Sequence, residues 1–249
     1  FAPARAVTYV KGNEPVIELV VEGEARAYPL QVMVWHEIVN DEVGGVPVAV
    51  TFCPLCNTAI VFDRRAEGET LTFGVTGNLR DSDLVMYDRQ TESWWQQFGG
   101  AALVGAHAGD ELEQLPARIV SFADFRVRSP DGLVLSRDTG YDRPYGSNPY
   151  PGYDDVSSRP WYGARNADDE RLLPKEVVVF VERGGESVAV PRAALRKRGE
   201  LEVELAGARL VLRFRGGAVE VLEDGRPVPF SEPFWCAVAA FSPDVRVLR

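Results

Sequence analysis

Short apolar stretches, many of them with apolar residues at alternate positions, recur along the whole chain and are separated by turn-forming residues. Runs of about four to eight residues that are rich in Val, Ile, Leu, Phe and Tyr are typical of strands. We predict strands at residues 16–21, 25–30, 46–52, 58–63, 70–75, 84–88, 117–120, 133–135, 176–181, 187–190, 201–205, 208–214, 218–223 and 245–248.

Only three stretches favour helices, and all three are short. Pro29 suits the start of a helix over residues 30–39, and Ser121 can cap one over residues 122–128. A third is predicted at residues 234–241. The pattern therefore predicts a mainly β fold with short helices, a β-rich α+β class.

Residues 137–174 interrupt this pattern and divide the chain into three parts. They are rich in Tyr, Asp, Pro and Gly, and an irregular segment of this length inside a compact domain is often a lid or binding loop. We predict a first β-rich half at residues 1–136, a connecting loop at 137–174 and a second β-rich half at 175–249.

The second half resembles a degenerate copy of the first. The apolar and turn residues of 16–29 align with those of 178–191, and residues 122–135 align with 235–248. The interval between these two landmarks is about 49 residues shorter in the second half, and the missing interval includes both cysteines of the first half. We predict two related β halves, of which only the first carries the polar and thiol residues.

Charge narrows the classes of partner. The chain has 27 Lys and Arg against 37 Asp and Glu, a formal charge of −10, which argues against nucleic acid and anionic membrane surfaces. No apolar run reaches the roughly 18 residues of a spanning helix. The sequence begins at Phe1 rather than Met, so a removed export signal would not be visible in it.

The candidate chemistry is centred on Cys53-Pro-Leu-Cys56-Asn57, a turn between two predicted strands. Two thiols at this spacing can hold a metal ion or exchange electrons as a dithiol. In a thioredoxin-like protein the motif would begin a long helix, whereas residues 58–63 are predicted as a strand. A metal site is favoured; redox dithiol chemistry and ordinary structural cysteines remain alternatives.

A lone Cys-x-x-Cys pair needs further ligands. His36 precedes the cysteine strand in the chain and is the candidate third ligand, with Glu37 able to orient its ring. Met86 or Asp83 is the candidate extra contact. Thiolate and imidazole together favour copper, with zinc or iron as alternatives.

Other polar and aromatic residues could contact a small polar ligand or support the metal ligands. Polar residues cluster at 77–83, a tryptophan pair stands at 94–95, and the connecting loop could close over the same site. The residues predicted for these roles, in addition to Glu37, are Asn78, Arg80, Ser82, Trp95 and Tyr141.

These motifs resemble a bacterial and archaeal family that is catalogued as a domain of unknown function. The resemblance rests on residues 27–30 (AYPL), 35–41 (WHEIVND), 51–56 (TFCPLC), 82–89 (SDLVMYDR), 93–97 (SWWQQ) and 135–141 (LSRDTGY). Family members often carry export features, so the resemblance implies a location outside the cytoplasm, whether periplasmic, secreted or surface-anchored. It also supports His36, Cys53 and Cys56 as a set, and it implies no established activity.

The leading hypothesis is thus an extracytoplasmic protein that binds one metal ion at a Cys2His-type site. Such a site would be redox-active if the metal is copper. The alternatives are a thiol–disulfide oxidoreductase and a non-catalytic binding module with structural cysteines. Whether the protein is an enzyme, and which substrate or redox partner it meets, stays open at this stage.

Overall fold

A computed structural model describes residues 1–249. Strands contain 44% of the residues and four short helices contain 12%, so the predicted β-rich class is confirmed. None of the helices has the length and apolar character that a membrane crossing requires.

The first half contains fifteen strands, numbered in chain order. They are β1 (Ala2–Pro3), β2 (Pro15–Val21), β3 (Glu24–Pro29), β4 (Ile38–Val43), β5 (Val46–Cys53), β6 (Thr58–Asp63), β7 (Arg65–Ala66), β8 (Glu69–Thr70), β9 (Phe73–Arg80), β10 (Asp83–Asp88), β11 (Trp94–Gln96), β12 (Ala102–Val104), β13 (Gln114–Leu115), β14 (Ala117–Ser121) and β15 (Leu133–Val134).

The second half contributes seven more strands. They are β16 (Val178–Arg183), β17 (Glu186–Pro191), β18 (Glu200–Leu205), β19 (Ala208–Arg215), β20 (Ala218–Glu223), β21 (Arg226–Pro227) and β22 (Arg246–Val247). The helices are a 3-10 turn at Ala4–Ala6 and the four α-helices α1 (Leu30–His36), α2 (Phe122–Arg128), α3 (Arg192–Arg198) and α4 (Trp235–Phe241).

Five sheets of three to five strands build the fold in a propeller-like arrangement, with β7 and β8 as a separate small ribbon. Three sheets lie in the first half, in the strand orders β1-β15-β3-β2-β14, β13-β6-β5-β4 and β12-β11-β10-β9. The other two belong to the second half, in the orders β16-β17-β22 and β18-β19-β20-β21.

Three predicted elements of the first half have wrong boundaries. The predicted strand at 70–75 is interrupted, because β8 ends at Thr70 and β9 begins at Phe73. Helix α1 ends at His36 rather than residue 39, because Glu37 takes φ of +59° and strand β4 begins at Ile38. The predicted polar loop at 77–83 is the end of a hairpin: β9 continues to Arg80, and a two-residue turn follows. Asp81 and Ser82 have φ of +52° and +65°, as a tight hairpin turn requires, although neither is Gly or Asn.

The two halves share element order and strand register. Hairpin, helix and three-strand meander follow one another from β2 to β6 and again from β16 to β20. The strand after α2 pairs in parallel with β3 through Ala27 and Val134, and the strand after α4 pairs in parallel with β17 through Ala189 and Val247. These positions are the ones that the sequence alignment equates. The relation between the two halves stays a prediction.

The connecting loop contains no helix or strand, yet it packs against both halves. Tyr153 is buried, and the backbone amide of Lys175, just after the loop, donates to the carbonyl of Val156 at 3.1 Å. The largest core cluster joins both cysteines of the first half to Tyr153 of the loop and to Phe180 and Trp235 of the second half. The cysteine turn therefore lies where all three parts of the chain meet. The domain boundaries themselves stay a prediction.

A buried carboxylate outside this core also joins the halves. Glu18 on β2 is 4% exposed and accepts hydrogen bonds from Arg118 on β14, at 2.6 Å, and from Arg128 on α2, at 3.1 Å. Arg118 also pairs with Glu220 on β20. Because Glu18 is desolvated, its charge depends on these partners.

Replacement of Arg118 by Met should therefore destabilise the protein by about 2–3 kcal/mol, because Glu18 keeps only Arg128 and Glu220 loses its partner. Urea unfolding measures this change. Arg209→Met is the control, since it removes an exposed, solvent-screened pair with Glu202 and should have a much smaller effect. Equal effects of the two variants would contradict the assigned role of Glu18.

Candidate metal centre

The two cysteines lie at the ends of a hairpin turn between β5 and β6. Cys53 pairs with Thr58 across the hairpin, and the Cys56 amide donates to the Cys53 carbonyl at 3.3 Å. Asn57 closes the turn with φ of +55°, a conformation that Asn tolerates better than most residues. The predicted strands on either side of the turn are confirmed.

The equivalent hairpin of the second half shows how the cysteine turn differs from a two-residue turn. Between β19 and β20 the turn consists of Gly216 and Gly217 alone, both with positive φ, because Arg215 pairs with Ala218. The first-half turn is two residues longer and carries the thiols. Both hairpins have the same strand register, so the two extra residues lengthen the turn at Cys56 without altering the strand pairing.

A buried polar network holds the base of the cysteine hairpin. Thr58 donates from Oγ1 to Gln97 Oε1 at 2.7 Å, and Gln97 Nε2 donates to Thr51 Oγ1 at 2.8 Å. Thr51 in turn donates to the Ile60 carbonyl at 2.7 Å. All of these groups are inside the protein and satisfied, which fixes the hairpin relative to the segment after β11.

Asp83 joins the two thiols. One ligand atom from each of Cys53, Cys56 and Asp83 lies within 4.8 Å of the others, and each residue is at most 1% exposed. These residues are positioned to hold a metal ion, because thiolate sulfur and carboxylate oxygen are both common ligands and bond a single ion at roughly 2.0–2.3 Å.

Two donors fix one oxygen of the Asp83 carboxylate and leave the other without a partner. Oδ2 accepts from Gln96 Nε2 at 2.6 Å and from the Phe98 amide at 2.8 Å. Oδ1 is buried and has no hydrogen-bond partner. Arg80 supports the arrangement by donating to Gln96 Oε1 at 3.2 Å. A buried carboxylate oxygen without a partner is costly, so its position beside two thiols favours a ligand there.

Burial controls the protonation of these groups. It raises the pKa of the Cys53 thiol and raises that of the Cys56 thiol well above its ordinary value. It also raises the pKa of Asp83 to about 6, against the opposing effect of hydrogen bonds from Phe98, Gln96 and the two thiols. At neutral pH the metal-free site therefore holds protonated thiols, and a bound metal would displace their protons.

The predicted third ligand, His36, is not part of this group. Its Nε2 contacts the Tyr145 hydroxyl of the connecting loop at 2.5 Å, and its ring lies 5.6 Å from that of Tyr141. His36 is the last residue of α1 and faces the loop, so the loop, rather than the thiols, surrounds it. The Cys2His composition is thus corrected to two cysteines and Asp83, which the sequence had suggested only as an extra contact.

Glu37 does not orient His36, as had been predicted, but it belongs to the electrostatics of the site. Burial raises its pKa to about 7, and the negative charge of Asp83 adds to the shift. Its carbonyl accepts from the Phe52 amide at 2.8 Å, one residue before Cys53. A second acidic group thus stands near the candidate metal centre.

The remaining predicted residues are distributed around the site in different roles. Ser82 accepts from Cys56 Sγ through its carbonyl at 3.4 Å and donates from its hydroxyl to the Tyr162 carbonyl at 2.7 Å. Met86 and Trp95 are fully buried members of the same core cluster, and the Trp95 indole donates to Asp88 at 3.0 Å. Asn78 is exposed on β9, and its backbone amide donates to Thr76 Oγ1 at 3.0 Å.

Sequence reasoning missed Gln96, Tyr153 and Lys175. Gln96 belongs to the motif at residues 93–97, and its contact with Asp83 depends on the β10–β11 pairing. Tyr153 and Lys175 come from the connecting loop and its end, and both have buried polar atoms without partners. No local pattern marks them, since only the tertiary packing of the loop brings them to the cysteines.

A cavity of about 370 Å³ lies against the outer side of the cysteine turn. Pro54 and Asn57 of the turn, Phe234 of the second half, and Tyr150 and Tyr153 of the connecting loop line it. A volume of this size suits a small ligand. None of the residues predicted to contact a small polar ligand lines this cavity, so that ligand stays a prediction.

Comparison with known proteins gives one match. A family model described as "Protein of unknown function (DUF3179)" matches residues 1–227, which includes the cysteine turn, Asp83, the connecting loop and most of the second half. Neither the search of curated proteins nor the search of solved structures gives a match.

The raised pKa of Asp83 gives a testable pH dependence in metal-free protein. The folded value of about 6 exceeds the unfolded value of about 3.9, so the folded state holds its proton more tightly and loses stability as pH rises from about 4 to 6. Asp83→Asn keeps the shape without the charge. It should stabilise the metal-free protein by on the order of 1–3 kcal/mol at pH 8 and by much less at pH 4. Denaturant titrations at the two pH values measure this, and a gain independent of pH would contradict the assignment.

Proposed function

The chain belongs to the DUF3179 family, and we propose that it binds one transition-metal ion through Cys53, Cys56 and Asp83. The observation that carries the proposal is the close, buried grouping of two thiols with a carboxylate oxygen that has no other partner. Thiols and carboxylate would lose their protons on binding, and the metal would offset the cost of burying three negative charges.

Burial argues for metal binding over disulfide exchange. A thiol that attacks a disulfide must be accessible and carry a lowered pKa. Cys53 and Cys56 are each 1% exposed, and burial raises the pKa of both. In the metal-free protein the thiols of Cys56 and Cys53 are the donors that face the Asp83 carboxylate, and a purely structural role would explain the grouping by that pairing alone. The metal-site proposal accounts for all three groups.

The donor set changes the order of candidate metals. Copper was favoured because thiolate was expected together with the imidazole of His36, but Asp83 replaces that imidazole. Two sulfurs and one harder oxygen suit zinc or iron(II) better than copper(I). Three protein ligands also leave one position of a tetrahedral ion for an exchangeable group, as in catalytic zinc sites. We place zinc first, iron second and copper third.

The cellular location is part of the proposal and rests on the family resemblance alone. A site outside the cytoplasm would expose free thiols to oxidation unless they were buried or bound to metal. Both thiols of this site are buried, which is consistent with such a location.

Metal content is the direct test. Protein purified under reducing conditions and loaded with Zn²⁺ should retain about one ion per chain after gel filtration, measured by elemental analysis. Cys53→Ser and Cys56→Ser should each lower the affinity at least about tenfold, because each loses one thiolate ligand. Cys236→Ser is the matched control: this third buried cysteine lies outside the ligand group and should leave the stoichiometry unchanged. Failure of the wild-type protein to retain any transition metal would refute the proposal.

The corrected third ligand has its own test. His36→Asn should leave the zinc stoichiometry and affinity unchanged, since His36 contacts Tyr145 instead of the thiols. Asp83→Asn should weaken zinc binding by at least about tenfold, because the amide offers no negative charge to the ion. Competition with a chromophoric chelator measures both affinities. The opposite result, with loss in His36→Asn and no loss in Asp83→Asn, would restore the Cys2His composition.

A further inference from the structure

Lys175 is a buried cation without a hydrogen-bond partner. It lies just after the connecting loop, is 2% exposed, and its Nζ has no acceptor. The Nζ is 2.9 Å from the centroid of the Tyr153 ring and 5.1 Å from that of Phe234. The two aromatic faces offer a favourable cation–π environment, which replaces only part of the lost hydration.

Backbone hydrogen bonds connect the chain segment that carries this lysine to the cysteine turn. The Phe234 amide donates to the carbonyl of Cys56 at 2.8 Å, and the Cys236 amide donates to the carbonyl of Pro174 at 2.9 Å. The segment that carries Lys175 and the segment that carries Cys56 are thus joined through residues 234–236. The ring of Phe234, whose centroid is 5.1 Å from the ammonium, therefore belongs to the residue whose amide is hydrogen-bonded to Cys56.

The charges that face Lys175 come from the site. Burial lowers its pKa to about 8, and the sulfurs of Cys236, Cys56 and Cys53 oppose that shift. Asp154 also opposes it but is exposed to solvent. Burial raises the pKa of Cys236 to about 11, so this thiol carries no charge at neutral pH. The deprotonated metal ligands are therefore the negative charges that the buried Lys175 ammonium can neutralise.

We propose that the Lys175 ammonium is the built-in countercharge of the metal centre and fits it to a divalent ion. The inference rests on the proposed function. Within the ligand set, two thiolates and the Asp83 carboxylate carry three negative charges. A divalent ion leaves one of them, and the ammonium cancels it when the nearby Glu37 is protonated. A trivalent ion would leave the cluster positive and a monovalent ion would leave it negative, and a net charge in a water-free interior is costly.

The identity of the side chain agrees with this role. The chain contains three lysines, Lys11, Lys175 and Lys197, and uses Arg for its other cationic side chains. Lysine presents a compact point charge, whereas guanidinium needs several planar acceptors. A site that offers aromatic faces and a diffuse negative cluster, but no acceptor within hydrogen-bond distance, suits the ammonium.

The test compares Lys175→Met with wild type and with Lys197→Met, the same change at an exposed position. Zn²⁺ affinity is measured at pH 7 by competition with a chromophoric chelator, and thermal unfolding is measured on the metal-free proteins. Lys175→Met should lower the Zn²⁺ affinity at least about tenfold, as expected for a charge lost from a low-dielectric site. It should also raise the metal-free midpoint at pH 5, where both thiols and most of Asp83 are protonated, by on the order of 2–4 °C, because a buried charge without a countercharge is gone. Lys197→Met should change neither.

The two measurements separate the possible failures. Zinc affinity within threefold of wild type in Lys175→Met would overturn the countercharge while leaving the metal site intact. A loss of stability in the metal-free variant would overturn it as well, since a structural lysine would stabilise both forms. Absence of zinc binding in the wild-type protein would instead refute the proposed function.

Discussion

The burial of two thiols and a carboxylate at one point in the core is the constraint on which the rest of the structure depends. Cys53, Cys56 and Asp83 are held within 4.8 Å of one another and almost completely shielded from solvent. As protonated groups they are tolerated, and as anions they require a cation. The unpartnered Asp83 oxygen, the raised thiol pKa values and the solitary Lys175 ammonium are consequences of the same exclusion of water.

The element order that the two halves share explains how such a site is built without distortion of the strands. Each half supplies a hairpin, a short helix and a meander, and the second half closes the equivalent hairpin with Gly216 and Gly217. The first half uses a turn two residues longer and adds the β9–β10 hairpin, which delivers Asp83 from a tight turn at Asp81 and Ser82. The site is thus an elaboration of loops on a plain β framework, and the connecting loop covers it.

Sequence reasoning succeeded where short-range rules decide. The cysteine hairpin, the Ser121-capped helix and the alternating strands follow from local periodicity and turn chemistry, and the structure has them nearly at the predicted residues. It failed on the third ligand because the positions of His36 and Asp83 in the chain make both residues equally plausible ligands. Only the positive φ at Glu37, which turns the chain after His36, and the register of β10 decide between them. Lys175 could not be found, since its burial depends on contacts with Tyr153 and Phe234 that are distant in sequence.

The central claim is that one metal ion is bound by two sulfurs and one carboxylate oxygen. X-ray absorption at the edge of the bound metal, in the protein as purified or loaded with Zn²⁺, reports the ligand atoms directly. The account predicts two sulfur neighbours at about 2.3 Å and an oxygen shell at about 2.0–2.2 Å. A spectrum without sulfur neighbours, or with the multiple scattering of an imidazole ring in place of the carboxylate, would contradict it.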